Sequence, residues 1–287
     1  MPKVAYDLIH PERRTTSVVF ASPHSGRDYP RSFLRRTNLN EHSIRSSEDA
    51  FVDQLFDCAP QFGAPFIKAG APRAYVDLNR SADELDPAVI EGATRSGHNP
   101  RVSSGLGVVP RVVANGQAIY AGKISMSDAE HRINTYWRPY HEALQGQLDQ
   151  SHLMFGQAIL IDCHSMPHEA MDAVARSGIR RPEVVLGDRF GAAADEALVD
   201  RIEGIFAGAG LVVTRNTPFA GAYITQHYGR PLRGRHAVQV EIDRALYMNE
   251  AQIKPNGNFR AFQRVLRDVI AQITDLGRAE EQPLAAE

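Results

Sequence analysis

Residues 158–167 read AILIDCHSMP. The opening Ala158 to Ile161 is an apolar run too short for a helix, and it reads as a buried strand. Asp162, Cys163, His164 and Ser165 follow it directly. The arrangement recurs along the chain: Ser17 to Ala21 (SVVFA) runs into Ser22-Pro23-His24-Ser25-Gly26, Ala74 to Leu78 (AYVDL) into Asn79-Arg80, and Ala237 to Val240 (AVQV) into Glu241-Ile242-Asp243-Arg244. Leu211 to Thr214 (LVVT) is a further run of this kind.

Between these runs lie segments of helical period. Glu48 to Ala59 carries Phe51, Val52, Leu55, Phe56 and Ala59 on one face, with Ser46 and Ser47 as candidate N-caps and Gly63 as its end. Ser127 to Leu148 repeats the pattern through Ile133, Trp137, Tyr140 and Leu144, and Pro139 is placed to kink it. Ala192 to Ala207 and Phe259 to Ile273 are the other expected helices. Strands alternating with helices predict an α/β fold with a largely parallel sheet. Ser81 to Ala121 lapses into Gly, Pro, Asn and Ser, which predicts a long insertion or small hairpin of the kind that covers an active site.

The length of 287 residues allows a sizeable core and leaves the domain count open. A hydrophobic fraction of 43% and a net charge of -2 describe an ordinary globular chain with no general attraction to nucleic acid. An anionic ligand must therefore be held by local basic groups. The N-terminal residues lack the apolar core of a secretory signal, and no apolar stretch is long enough for a membrane helix. Cys58 and Cys163 are far apart in apolar surroundings, which argues against a disulfide framework and predicts a cytoplasmic protein. Gly105-Leu106-Gly107 lacks the context of a dinucleotide site, and no phosphate loop or Gly-x-Ser-x-Gly motif is present.

Ligands bind at the carboxyl ends of the strands in an open parallel sheet. His24, His164, Glu241 and the Asn79-Arg80 pair are thus expected to converge. Imidazoles at rigid strand ends suit zinc, with Ser25, Asp162 and Ser165 as candidates to orient them. A catalytic zinc takes a third protein ligand, for which the adjacent Glu48 and Asp49 are the best source. Glu241 ends an apolar strand, where a carboxylate needs a task or a partner. The task is that of general base beside a metal-bound water; the partner would be Arg244 in a buried ion pair. Asn79 and Arg80 can clamp a carboxylate. The loop Gly229 to Arg235 adds Arg230, Arg233 and Arg235, either as further anion ligands or as a solvated turn.

At these positions the chain resembles the N-formylglutamate amidohydrolase family. The matching stretches are SPHSG (Ser22 to Gly26), SEDAFVDQLF (Ser47 to Phe56), RAYVDLNR (Arg73 to Arg80), DCHSMP (Asp162 to Pro167), NTPFAGAYITQHYG (Asn216 to Gly229) and VEIDRALYMNE (Val240 to Glu250). The resemblance implies a single catalytic domain over residues 1–277, and the Ala/Glu-rich end from Arg278 to Glu287 reads as a disordered tail. It further implies a mixed, mostly parallel sheet between helices, similar to the phosphorylase/hydrolase-like fold of zinc carboxypeptidases and aspartoacylases. His24 and His164 carry over as zinc ligands, Asn79 and Arg80 as the carboxylate clamp, and Glu241 as base. The His-x-x-Glu spacing of those relatives is missing after His24, so Asp49, with Glu48 as the alternative, is expected to supply the third ligand. Arg80 with one or more of Arg73, Arg230, Arg233 and Arg235 would hold the two carboxylates of a small anionic substrate, N-formylglutamate, an intermediate of histidine degradation. A related N-acylaspartate or peptide hydrolase and a catalytically silent protein that binds acidic ligands are the rival readings. A site of two His and one carboxylate also accepts iron, cobalt or manganese.

Overall fold

The computed structural model describes residues 2–94, 99–172 and 180–278. The tail expected to be disordered lies outside the described residues from position 279 onward. A seven-stranded sheet organises the chain: β1 (Tyr6–Ile9), β2 (Val18–Ser22), β3 (Phe66–Ala69), β4 (Ala158–Met166), β5 (Val184–Gly187), β6 (Val213–Arg215) and β7 (Arg235–Asp243), in the order β1-β3-β2-β4-β7-β5-β6. β3, β2, β4 and β7 run parallel, whereas β1 is antiparallel to β3 and β5 antiparallel to β7. The sheet is therefore mixed and mostly parallel.

Successive side chains of a strand point to opposite faces, so each central strand feeds two cores. Val18, Phe20, Ile159, Ile161, Val238 and Val240 face one core, closed by the helices Glu196–Gly208 and Phe259–Asp275. Val19, Ala21, Ala158, Leu160 and Ala237 face the other, against Tyr140, Leu144 and Leu148 of the helix Arg138–Phe155. Burying each large aliphatic side chain contributes about 1.5–3 kcal/mol. Toward the carboxyl ends of β4 and β7 the second face changes from apolar to polar: Leu160 is followed in that alternation by Asp162 and His164, and Ala237 by Gln239 and Glu241. Nonetheless every residue of β4 is buried.

Three local expectations fail. Ala74 to Leu78 is not a strand but a buried turn, in which the N–H groups of Tyr75 and Val76 bond to the Pro72 carbonyl and Asp77 N–H bonds to Val108 O. The helix expected over Glu48 to Ala59 shrinks to Val52–Leu55 followed by a 3-10 turn at Ala59–Phe62. Its start is held elsewhere: Asp49 N–H bonds to His24 O, and Phe51 takes a left-handed φ of 69°. Ser47 caps nothing there, since its Oγ accepts from Ala114 N–H. Finally, β1, β3 and β5 were not among the expected strands; β1 and β3 sit at one margin of the sheet and β5 runs against its neighbour β7.

The long helical segment forms as expected. It opens at the Ser125 cap, whose Oγ accepts from Asp128 N–H, and ends at Gly156. Ile133–Trp137 is a π turn two residues before Pro139, whose missing N–H and bulky ring would break a regular ladder. From the expected insertion Ser81 to Ala121, Arg101, Leu106 and Val113 line a cavity at the polar ends of β4 and β7.

Candidate active site

That cavity, of about 540 Å³, is lined by His24, Asp49, Asp77, Asn79, Arg80, His164 and Glu241. His164 and Glu241 are direct partners in the β4–β7 register, so neighbouring parallel strands place the imidazole and the carboxylate side by side. His24 comes from the turn after β2. Gly26 keeps that turn against the Gly70-Ala71 backbone, for a Cβ there would lie 2.1 Å from Ala71 O.

Two imidazoles and one carboxylate meet at the centre. Asp49 Oδ2 lies 2.9 Å from His164 Nδ1 and 3.4 Å from His24 Nδ1. Each ring presents its other nitrogen to a further carboxylate: His24 Nε2 lies 2.7 Å from Asp77 Oδ1, and His164 Nε2 lies 3.1 Å from Asp162 Oδ2. Asp77 is fixed in turn by Arg73 Nε at 3.1 Å on Oδ2 and by Asn79 N–H at 2.8 Å on Oδ1. Candidate ligand atoms of His24, Asp49 and His164 lie within 4.8 Å of one another, and all three residues are buried.

The charge balance suits a cation. Burial alone would raise the carboxyls of Asp49 and Asp77, but the hydrogen bond from His164 and the charges of His164 and His24 hold Asp49 well below the usual range, and His24, Arg73 and Arg80 do the same for Asp77. Burial would lower His164, yet Asp162 and Asp49 outweigh it and push its pKa well above the ordinary value. His24 Nδ1 is buried with no hydrogen-bond partner, a position costly to leave unfilled. The set of two His and one carboxylate, each His backed by a second carboxylate, fits a divalent transition metal.

Glu241 stands beside this cluster and accepts a hydrogen bond from Gln239 Nε2 at 2.9 Å. Burial pushes its carboxyl up to about 7, with Asp49 adding to the rise and His164 opposing it. Arg244 is not its ion-pair partner: its Nη2 lies 3.2 Å from Asp49 Oδ1.

Several expected residues land elsewhere. Glu48 points away from its neighbour Asp49, accepting from Tyr29 OH at 2.7 Å and from Arg45 Nε at 3.0 Å. Arg235 opens β7 at the opposite end from Glu241, a separation of roughly 20 Å at about 3.3 Å per residue, and Arg233 lies in the turn before it. Arg235 pairs there with Asp149 at 2.7 Å. Arg230 donates to the Gln226 and Gly229 carbonyls and borders a neighbouring cavity. The glycine-bounded loop precedes its strand, so it cannot share an edge with groups that follow strands. Asn79 has its Oδ1 taken by Ile224 N–H at 2.8 Å and its Nδ2 3.2 Å from His164 Nε2, so it backs the histidine as well as the cavity. Of the orienting groups, Asp162 faces His164, Ser165 Oγ lies 3.4 Å from Asp49 Oδ1, and Ser25 instead bonds Ser22. Asp77 escaped notice because it sat inside a run read as a strand; its place two residues before Asn79 was the available clue. Arg101 carried no motif.

Comparison with known proteins gives the family of the chain. The family model for N-formylglutamate amidohydrolase matches residues 16–248. An N-formylglutamate deformylase of Pseudomonas putida is 31% identical over 242 residues, covering 82% of this chain and 83% of that protein. One from Pseudomonas aeruginosa is 32% identical over 250 residues, covering 84% and 86%. The crystal structure of N-formylglutamate amidohydrolase from Ralstonia eutropha JMP134 superposes with a TM-score of 0.88 at 33% identity, covering 95% of this chain and 98% of that one. The chain belongs to the N-formylglutamate amidohydrolase family.

Proposed function

We propose that this protein hydrolyses the amide of N-formyl-L-glutamate to formate and L-glutamate, using a divalent metal, zinc by preference, held by His24, Asp49 and His164. The observation that carries the reading is Glu241: a buried carboxylate with a raised pKa stands in one cavity with His24, Asp49 and His164, whose ligand atoms lie close enough together to hold a metal ion. When bound, the cation supplies Lewis acidity to the acyl oxygen and makes a water easier to deprotonate. Glu241 takes the proton of the attacking water and returns it to the nitrogen of the leaving amine. Asp77 bonds His24 Nε2 and Asp162 Oδ2 lies 3.1 Å from His164 Nε2, while both Nδ1 atoms face Asp49. Arg80, buried and without a carboxylate partner among the described residues, anchors a substrate carboxylate. Arg101, Leu106 and Val113 line the cavity and limit water around the reacting amide. Cys58 and Cys163, both buried and free, suit a reducing compartment such as the cytoplasm. With this substrate the reaction serves histidine degradation.

The test joins metal analysis to formate release. Purified protein should hold about one transition metal per chain and release formate from N-formylglutamate faster than acetate from N-acetylglutamate or N-acetylaspartate. Asp49→Ala should lose the metal while Glu48→Ala keeps it. Protein without bound metal, or with full occupancy after Asp49→Ala, would overturn the ligand set.

A further inference from the structure

A substrate with two carboxylates needs two cationic partners, and the arginines around the cavity are not equivalent. Arg73 is committed to Asp77, and Arg244 to Asp49 and to the Glu48 carbonyl. Arg80 spends Nε on the Leu106 carbonyl at 2.8 Å and Nη1 on the Asn79 carbonyl at 2.7 Å, leaving Nη2 without a bond among the described residues. Arg101 is the remaining cation of the wall. It is exposed, and among the described residues no hydrogen bond or ion pair holds its guanidinium.

The local backbone keeps Arg101 beside Arg80. Leu106 N–H bonds to the Arg101 carbonyl at 2.8 Å, and the Leu106 carbonyl accepts from Arg80 Nε at 2.8 Å, so one residue ties the two arginines together. Asn99 Oδ1 caps the turn, 2.9 Å from Arg101 N and 3.3 Å from Val102 N. Gly105 reverses the chain with a φ of +82°, a conformation that suits glycine. Burial first, and the nearness of Arg73 and Arg101 as well, lowers the pKa of Arg80 despite the opposing charges of Asp77 and Glu84. Neither guanidinium is in an ion pair among the described residues, and two neighbouring cations left so favour an anionic ligand.

We propose that Arg101 receives the side-chain carboxylate of the substrate while Arg80 receives its α-carboxylate, which makes Arg101 the residue that selects acidic over neutral N-acyl amino acids. The α-carboxylate is two bonds from the reacting nitrogen and must bind deep, where Arg80 bonds the carbonyl of Asn79, whose amide reaches His164. The side-chain carboxylate extends further out, toward the exposed Arg101. This assignment rests on the hydrolytic reading above.

The experiment compares N-formylglutamate with N-formylglutamine, which has nearly the same shape and no side-chain charge, in wild type, Arg101→Ala and Arg101→Lys. In Arg101→Ala the ratio of kcat/KM for the acid over the amide should fall about 10- to 100-fold, the scale of a hydrogen bond to a charged group, with the loss in KM for the acid. Arg101→Lys should keep part of the preference, since charge remains without the planar fork. Equal losses on both substrates would mark a structural role, and an unchanged ratio would move the selection to another group; either outcome overturns the proposal. A wild type that hydrolyses neither substrate removes the hydrolytic reading and this assignment with it.

Discussion

Arg244 Nη2 lies 3.2 Å from Asp49 Oδ1, on the opposite side of the carboxylate from the two histidines that approach Oδ2. The same Nη2 donates to Glu48 O at 2.7 Å, and Nε donates to Ser165 Oγ at 3.1 Å. One guanidinium thus fixes the tilt of Asp49, the backbone just before it and the hydroxyl beside it.

Arg244→Met should therefore lower metal affinity by about 10- to 100-fold, the usual scale for losing an orienting partner of a metal ligand. Arg244→Lys should not restore it, because one ammonium cannot reach all three acceptors. Competition against a chelator of known affinity measures this. Affinity equal to wild type in a folded Arg244→Met protein would show that Asp49 needs no such support.

Glu241→Gln preserves size and can keep a contact with Gln239. Because Arg244 pairs with Asp49 and not with Glu241, this change strands no salt-bridge partner. The variant should melt near the wild-type temperature and hold its metal, while kcat falls about 100-fold or more. Near-normal turnover would place the base elsewhere.

His141 gives stability a pH dependence. Its Nε2 donates to the Leu78 carbonyl at 2.9 Å, and its Nδ1 accepts from Tyr228 OH at 2.8 Å. Burial lowers its pKa from 6.5 to about 3, so the folded protein favours the neutral ring. The folded pKa lies below the unfolded one, so this contribution is fully present above pH 6.5 and is lost as pH falls from there toward 3. His141→Gln should show a shallower decline in stability than wild type across that window in denaturant titrations at successive pH values. Parallel curves would mean that His141 is not the group responsible.

Arg233→Ala and Arg235→Ala should leave KM for N-formylglutamate unchanged. Arg233 is exposed, and the Arg235–Asp149 pair is partly exposed, so its loss should cost no more than about 1 kcal/mol. A several-fold rise in KM in either variant would contradict their position at the far end of β7.

Much of the sheet and half of the site are local facts, legible in the chain itself. Apolar runs such as Ala158 to Ile161 can satisfy their backbone only in a sheet, and the alternation Asp162, His164 and Gln239, Glu241 dictates that these pairs share a face wherever the strands go. A polar group at the end of a buried strand announces chemistry because burying it idle is costly. Tertiary structure decided the rest. Whether Glu48 or Asp49 turned inward depended on the bond from Asp49 N–H to His24 O and on the left-handed Phe51, both consequences of distant packing. Asp77 became a partner of His24 because its segment folded as a turn against Val108 and not as a strand. Arg233 and Arg235 left the site while Arg101 and Arg244 entered it. Charge on a long side chain carries no address in sequence; which strand end it faces is set by contacts between residues a hundred or more positions apart, as Arg244 and Asp49 are.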